Sequence, residues 1–328
     1  MSAIHLNNRL LHYEMVGRRG QPIIFLHSWL GSWRYWLPTM DHISERNRAY
    51  ALDFWGFGES DRRDSEFSLP EYVDLLLGFM DNMGLTRVNL AGHGLGGMVA
   101  IRAAINHPAR FGKIMTVNTP IHGAQAISVR PGALLSRLLG RSQPTNIWSK
   151  LVRQIEVDDS QIKEEIIEDT DSLSEHVVER VVASVLKADL RTDLPRLESP
   201  LLAVYCSNDS IVSHDQADLL REKYRSLQVL ELRRSNHFPF LDQPNVFNRL
   251  LLDFLASEGT PVEIKAEWRR RVSRVAGDHD LEPDHRAVLQ APAGRAHAAS
   301  GAQPGAVVSD HGPGGLRNDQ RVERQAAA

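Results

Sequence analysis

Short, wholly apolar runs alternate with longer stretches of helical spacing along most of the chain. Residues 3–6 and 10–16 are apolar-rich and flank Asn7-Asn8-Arg9, which predicts a hairpin. Pro22-Ile23-Ile24-Phe25-Leu26 has no polar position, the pattern of a strand buried on both faces. Residues 33–43 have helical spacing, and Ala49-Tyr50-Ala51-Leu52 predicts a further strand. Ser68-Leu69-Pro70-Glu71 combines an N-cap serine, a first-turn proline and a capping-box glutamate. The helix it opens is expected to run to about Met83, with Gly84 as its stop. Arg87-Val88-Asn89-Leu90 predicts a buried strand. It passes through Ala91-Gly92-His93-Gly94-Leu95-Gly96-Gly97 into a small-residue helix over 98–106. Lys113-Ile114-Met115-Thr116-Val117 is the next strand.

From about 119 to 195 the strand signals stop. Residues 133–135, 147–155, 162–167 and 177–186 show helical spacing, so this segment is read as a helical insertion. Strands return at Pro200-Leu201-Leu202-Ala203-Val204-Tyr205 and at 227–232, each followed by a predicted helix, at 215–224 and 246–255. Alternating strands and helices predict an α/β fold with a mostly parallel sheet and right-handed crossovers. Ligands of such sheets bind at the carboxyl ends of the strands. His27, Asp53, the Gly92–Gly97 turn, Asp209 and His237 all fall there.

Composition narrows the picture. The chain has 328 residues, of which 42% are hydrophobic and 24% charged, enough for one large α/β domain with an insertion. A formal net charge of -3 gives no reason to expect nucleic acid as a partner. The lone Cys206 excludes an intrachain disulfide and a cysteine-based metal cluster. No leader pattern opens the sequence and no apolar run approaches the ~18 residues of a membrane span, so a cytoplasmic protein with no membrane partner is expected. After Gly259 the chain turns rich in Ala, Gly, Arg, Pro and His. Residues 259–328 are therefore expected to be a largely disordered tail, open to a protein contact, behind a domain spanning 1–258.

The glycine turn admits two readings. Gly92-His93-Gly94-Leu95-Gly96-Gly97 fits the dinucleotide fingerprint G-x-G-x-x-G, but that loop needs an acid about 20 residues on to hold a ribose. The next strand ends instead in Val117-Asn118-Thr119, and three predicted strands already precede the loop. The other reading is the nucleophile elbow G-x-S-x-G, with glycine at its centre.

Around that elbow the sequence resembles the α/β-hydrolase superfamily, in its single-domain form with a helical cap, over about residues 4–257. His27-Ser28-Trp29-Leu30-Gly31 is similar to its His-Gly-x-x-Gly oxyanion loop, with Ser28 in place of the first glycine. Asp53-Phe54-Trp55-Gly56-Phe57-Gly58-Glu59-Ser60 matches its D-x-x-G-x-G-x-S turn. Asp209 and His237 stand where the family's acid and base belong, in the order nucleophile, acid, histidine. The resemblance implies the α/β-hydrolase fold, a mostly parallel central sheet flanked by helices with the cap inserted at about 119–195.

The likeness fails at the nucleophile. Gly94 has no side chain, so no acyl-enzyme forms on it. A glycine tolerates the strained elbow at little cost, whereas another residue gives up on the order of 1–3 kcal/mol there. The resemblance assigns an acid–base dyad to Asp209 and His237 and an oxyanion hole to the backbone N–H groups of Trp29 and Leu95. Ser28 carries a hydroxyl beside that hole and is read as a pocket residue that orients substrate or water, in preference to a substitute nucleophile. His93 and His27 are read as structural members of the pocket wall, Asp53 and Ser60 as ordering their turn, and Cys206 as a small buried hydrophobe. Among the aromatic residues near the strand ends, Trp29 and Trp55 are placed at the pocket, which favours a small, largely apolar ligand. No cofactor or metal motif is present, and a small molecule is the expected partner. The sequence thus predicts an enzyme running non-covalent acid–base chemistry on His237 and Asp209: proton abstraction, elimination, cyclisation or slow hydrolysis. The alternatives are an inactive hydrolase-like ligand-binding protein and an ordinary serine hydrolase whose nucleophile has been replaced.

Overall fold

The computed structural model describes residues 2–29, 31–125, 153, 160–223 and 227–258. The tail and the helices expected at 133–135 and, residue 153 apart, at 147–155 lie outside the described residues. The predicted alternation folds into one eight-stranded sheet. In chain order its elements are β1 (Ser2–Leu6), β2 (Arg9–Val16), β3 (Gln21–Leu26), α1 (Leu37–Ile43), β4 (Asn47–Leu52) and α2 (Leu69–Asn82). Then come β5 (Val88–His93), α3 (Leu95–Asn106), β6 (Phe111–Val117), α4 (Ser160–Asp171) and α5 (Glu175–Lys187). The last are β7 (Leu201–Cys206), α6 (Asp215–Lys223), β8 (Gln228–Leu232), α7 (Pro239–Asp242) and α8 (Pro244–Ala256).

Across the sheet the order is β1-β2-β4-β3-β5-β6-β7-β8. β2 pairs antiparallel with β1 and with β4, and every later pairing is parallel. Asn7 and Asn8 turn the opening hairpin at φ 52° and 60°, the left-handed pair a two-residue hairpin requires. β3 is buried from Pro22 onward and β7 throughout, because helices cover both faces of the parallel part. One face packs Leu76, Phe79, Met98 and Ile101 of α2 and α3 into a core that also takes Val178 and Val181 of α5. The other packs Met40 and Ile43 of α1 against Phe247, Leu250 and Phe254 of α8.

Two local features hold the site in place. Ser68 caps α2 by accepting from the N–H of Glu71, as its spacing predicts. Glu71 in turn accepts from the N–H of Phe67 at 2.7 Å and from Arg9 at 2.9 Å, tying the helix start to the hairpin. Gly96, in the first turn of α3, faces the end of β3. A Cβ there would stand 2.2 Å from the carbonyl oxygen of Leu26, so only glycine lets helix and sheet approach this closely. Residues 33–43, expected as one helix, divide into a 3-10 turn over Trp33–Trp36 and then α1. Asp53 Oδ1 accepts the Trp33 N–H at 2.8 Å at the start of the turn, and Pro38, in the first turn of α1, has no N–H to bond the Arg34 carbonyl, which breaks the helical run that spacing alone suggests. Among the described residues no helix is long and apolar enough to cross a membrane.

Candidate active site

Asp209 follows β7 and His237 follows β8. The carboxylate of Asp209 is fixed through Oδ1, which accepts the N–H groups of Ile211 (2.7 Å) and Val212 (3.1 Å). Its other oxygen, Oδ2, lies 2.8 Å from His237 Nδ1. A carboxylate only accepts, so Nδ1 donates, and the lone pair of the neutral ring is left on Nε2. Both side chains are buried, 2% and 5% exposed, so the pair is shielded from solvent competition.

The loop carrying His237 is held from two sides. Asp242 accepts the Asn236 N–H at 2.7 Å and the Ser235 hydroxyl at 3.0 Å. Asn118, at the end of β6, donates from Nδ2 to the His237 carbonyl at 2.9 Å and accepts the Cys206 N–H on Oδ1 at 2.9 Å. One side chain therefore spans the strand ends of β6 and β7 and the histidine loop. Asn118 does this at φ 43°, a left-handed backbone that asparagine tolerates better than most residues. Cys206 itself is buried, and burial pushes its thiol up to about 12, so it is inert at neutral pH.

The turn after β5 brings His93 and Gly94 to the same place. The His93 ring lies 4.5 Å from that of His237, centroid to centroid, and among Tyr35, Phe238 and Phe240. Burial, reinforced by the charge of a protonated His237, drives its pKa well below the ordinary value, so it stays neutral. Gly94 precedes α3 at φ 51° and ψ -113°, with its N–H held by the Val117 carbonyl at 2.9 Å. This is the strained corner that a nucleophile elbow requires.

The loop after β3 faces that corner. His27 Nδ1 donates to the Ser28 carbonyl at 2.6 Å, and its Nε2 accepts the Phe54 N–H at 2.9 Å, so the ring is a fixed neutral tautomer. Its burial lowers its pKa in keeping with this. The Ser28 N–H donates to the Tyr35 hydroxyl at 2.5 Å, and that hydroxyl faces His93 Nδ1 at 3.4 Å. Tyr35 thus joins the two loops, a role that an aromatic residue read as part of a helix does not announce. With its backbone anchored by both neighbours, Ser28 directs its side chain at Gly94. A Cβ built on Gly94 would stand 2.1 Å from Ser28 Oγ and 3.0 Å from Ser28 Cβ. The Ser28 hydroxyl is buried and has no hydrogen-bond partner among the described residues.

Other residues singled out from the sequence take different positions. Asp53 is fully buried and accepts from His12 Nδ1 (2.8 Å), Trp33 N–H (2.8 Å) and Glu59 N–H (3.0 Å). Ser60 donates to the Asp53 carbonyl at 2.7 Å. Trp29 is nearly buried and directly follows Ser28, and Leu95 is the first residue of α3 directly after Gly94. The Trp55 ring lies beneath the Arg9 guanidinium, 4.4 Å from its centroid, and makes none of the contacts that join His27, Ser28 and His93. A separate surface cleft of about 540 Å³ is lined by residues of α2, α3 and α5, among them Arg102 and Lys187, and by no residue of this cluster.

A family model described as the alpha/beta hydrolase family matches residues 23–250. A pimeloyl-[acyl-carrier protein] methyl ester esterase of Shewanella woodyi is 30% identical over 261 residues, covering 75% of this chain and 97% of its own length. A (lyso)-N-acylphosphatidylethanolamine lipase of Bos taurus is 26% identical, covering 70% of this chain and 78% of its own. Among solved structures, the enol-lactonase of Burkholderia xenovorans LB400 superposes with a TM-score of 0.68 at 20% identity, over 78% of this chain and all of that one. An eight-stranded, mostly parallel sheet, an elbow between β5 and α3 and a family match over most of the chain agree: this chain belongs to the alpha/beta hydrolase family.

Proposed function

We propose that this enzyme hydrolyses a small, largely apolar ester or related carbonyl compound, with His237 as general base and Asp209 as the carboxylate that orients it. The observation that carries the reading is the buried 2.8 Å contact between Asp209 Oδ2 and His237 Nδ1, beside the Gly94 corner. A base held in one tautomer by a buried acid presents Nε2 to a proton donor and stabilises the imidazolium it becomes. The N–H of Leu95, first residue of α3, has no partner within its helix and is assigned to the oxyanion, and the family resemblance adds the N–H of Trp29. The names of the relatives, a methyl ester esterase, a lipase and a lactonase, all denote cleavage of a carbonyl–oxygen bond.

A base needs a proton to take. Glycine at 94 offers none, so the proton comes from substrate, from water or from a hydroxyl that another residue brings to the corner. The anchoring of His237 by Asp209, Asn118 and Asp242 favours an enzyme over a scaffold that only binds, because binding alone does not call for a fixed tautomer. The test is a panel of short-chain p-nitrophenyl esters and lactones. Turnover by the wild type that falls on the order of 10⁴-fold or more in His237→Ala is the expected result. Turnover unchanged in His237→Ala refutes the assignment.

A further inference from the structure

We infer that Ser28 is the nucleophile of this enzyme, delivered from the loop after β3 to the corner where Gly94 has no side chain. The inference rests on the hydrolytic reading above and adds to it the group that gives up the proton. The first observation is spatial. Ser28 Oγ lies 2.1 Å from where the Cβ of any residue at 94 would be, so this hydroxyl occupies the start of the side chain that the elbow lacks. A serine Cβ–Oγ bond spans about 1.4 Å, so the Ser28 oxygen falls within the few ångströms that an elbow hydroxyl would itself sweep. The second is chemical. Buried hydroxyls are nearly always hydrogen-bonded, yet Ser28 Oγ is buried and has no partner among the described residues. The Thr39 and Ser65 hydroxyls share this state, and Ser28 differs from them in facing the Gly94 corner.

The third is preorganisation. The Ser28 backbone is pinned on both sides, its N–H by Tyr35 and its carbonyl by His27 and by the N–H of Gly31 at 3.2 Å. Tyr35 also faces His93, whose ring is 4.5 Å from that of His237. The Ser28 backbone is therefore linked through Tyr35 and His93 to the ring of His237, while the hydroxyl turns about Ser28's own side-chain torsion. Glycine at 94 is what makes the arrangement possible, since any Cβ there would displace the hydroxyl.

In the proposed step the Ser28 hydroxyl, which bonds no described residue here, turns to His237, and Ser28 Oγ attacks the carbonyl carbon of the ester while its proton passes to His237 Nε2. The carbonyl oxygen takes the negative charge. When the carbonyl re-forms, the bond to the alkoxy oxygen breaks and His237 returns the proton to that oxygen, releasing the alcohol. Water then attacks the acyl-Ser28 ester with His237 as base, the acid leaves, and Ser28 Oγ regains its proton.

The experiment is labelling with an alkyl fluorophosphonate, which phosphonylates activated serine hydroxyls, followed by peptide mass mapping. Wild-type protein is expected to carry the phosphonate on Ser28. His237→Ala is expected to lose the label, and Ser28→Ala both the label and ester turnover, the latter on the order of 10³-fold or more. In Ser28→Gly/Gly94→Ser the label is expected to move to position 94. The mapping needs no knowledge of the substrate. Wild-type protein with no label on Ser28 overturns the inference. So does Ser28→Ala that keeps turnover while His237→Ala loses it; that outcome leaves the hydrolytic reading standing, with water attacked directly. Turnover unchanged in His237→Ala refutes the hydrolytic reading instead. Thermal melting of each variant separates lost chemistry from lost fold.

Discussion

The contact between Ser28 and position 94 has a thermodynamic signature apart from any activity. Gly94→Ser does two things at once. It forces a side chain onto a backbone at φ 51° and ψ -113°, which costs about 1–3 kcal/mol. It also sets a Cβ 2.1 Å from Ser28 Oγ. Rotating the Ser28 hydroxyl away relieves that contact but leaves Ser28 Cβ at 3.0 Å, still tighter than ordinary packing. Overpacking of this size costs about 1–3 kcal/mol. The single variant should therefore lose roughly 2–6 kcal/mol, and its Tm should fall by on the order of 10 °C for a domain of this size. Ser28→Gly removes both offending atoms at a cost of about 0.5–1 kcal/mol in chain entropy. Ser28→Gly/Gly94→Ser then retains the backbone strain but not the overlap. It should be more stable than Gly94→Ser alone, although it carries one more substitution. Urea unfolding of wild type, both single variants and the double variant gives the coupling directly, expected at about 1–3 kcal/mol. Additivity within about 0.5 kcal/mol would show that Ser28 does not fill the corner, and the reasoning above would fall with it.

Ser28→Ala removes a buried hydroxyl that bonds nothing described, so differential scanning calorimetry should show an unchanged or higher Tm, by about 1 kcal/mol of stability, alongside lost turnover; a marked loss of stability would mean the hydroxyl is a structural bond. Asn118→Ala leaves the His237 carbonyl and the Cys206 N–H without their partner, so it should cost about 1–3 kcal/mol and lower kcat more than it raises KM; steady-state kinetics showing an effect on KM alone would remove Asn118 from the support of His237. Stability should fall with acid. His27 and His93 have folded-state pKa values below 6.5, the first through burial, the second through burial and then His237, so under that pH the unfolded chain binds protons that the folded chain refuses. Each contributes stability in full above pH 6.5 and loses about 1.4 kcal/mol per pH unit below it, until its folded-state pKa is reached. His12 acts with the opposite sign: burial lowers its pKa, but the bond to Asp53 and the charges of Asp53, Glu59 and Glu14 outweigh burial, so its contribution fades above 6.5. Urea midpoints between pH 7.5 and 5 should fall in the wild type and fall less steeply in His93→Gln; parallel slopes would contradict a neutral His93.

Much of this molecule can be read from its sequence because its signals are local. Strands β3 and β7 are wholly apolar runs, and runs of that kind are strands covered on both faces wherever helices follow them. Asp209 stands three residues after the apolar β7 and His237 five residues after β8, and the carboxyl ends of parallel strands converge. Spacing misleads where a backbone group is missing. The helical pattern of 33–43 gives way to a 3-10 turn where Pro38 has no N–H to bond the Arg34 carbonyl, which takes the Leu37 N–H instead. Tyr35 then sits in that turn, where its hydroxyl reaches Ser28 and His93, and nothing in its own neighbourhood indicates this. Asn118 is invisible for a similar reason. Its two bonds run to strand ends that are remote in sequence.

The Ser28–Gly94 contact marks the limit of sequence reading more sharply. Each residue alone looks like a loss, a glycine where a nucleophile belongs and a serine where a loop glycine belongs. Their meaning appears only when the fold sets one against the other. A glycine that merely relaxed the elbow would leave an open corner, and an open corner would be filled by water or by a neighbour that finds a hydrogen bond. The corner is filled instead by a hydroxyl that finds none among the described residues, held by a backbone with its N–H and carbonyl both engaged. Packing alone calls for an atom in that corner, not for an oxygen without a bond. The oxygen is what needs an explanation, and the proposed base His237, whose ring lies 4.5 Å from that of His93 next to Gly94, offers one.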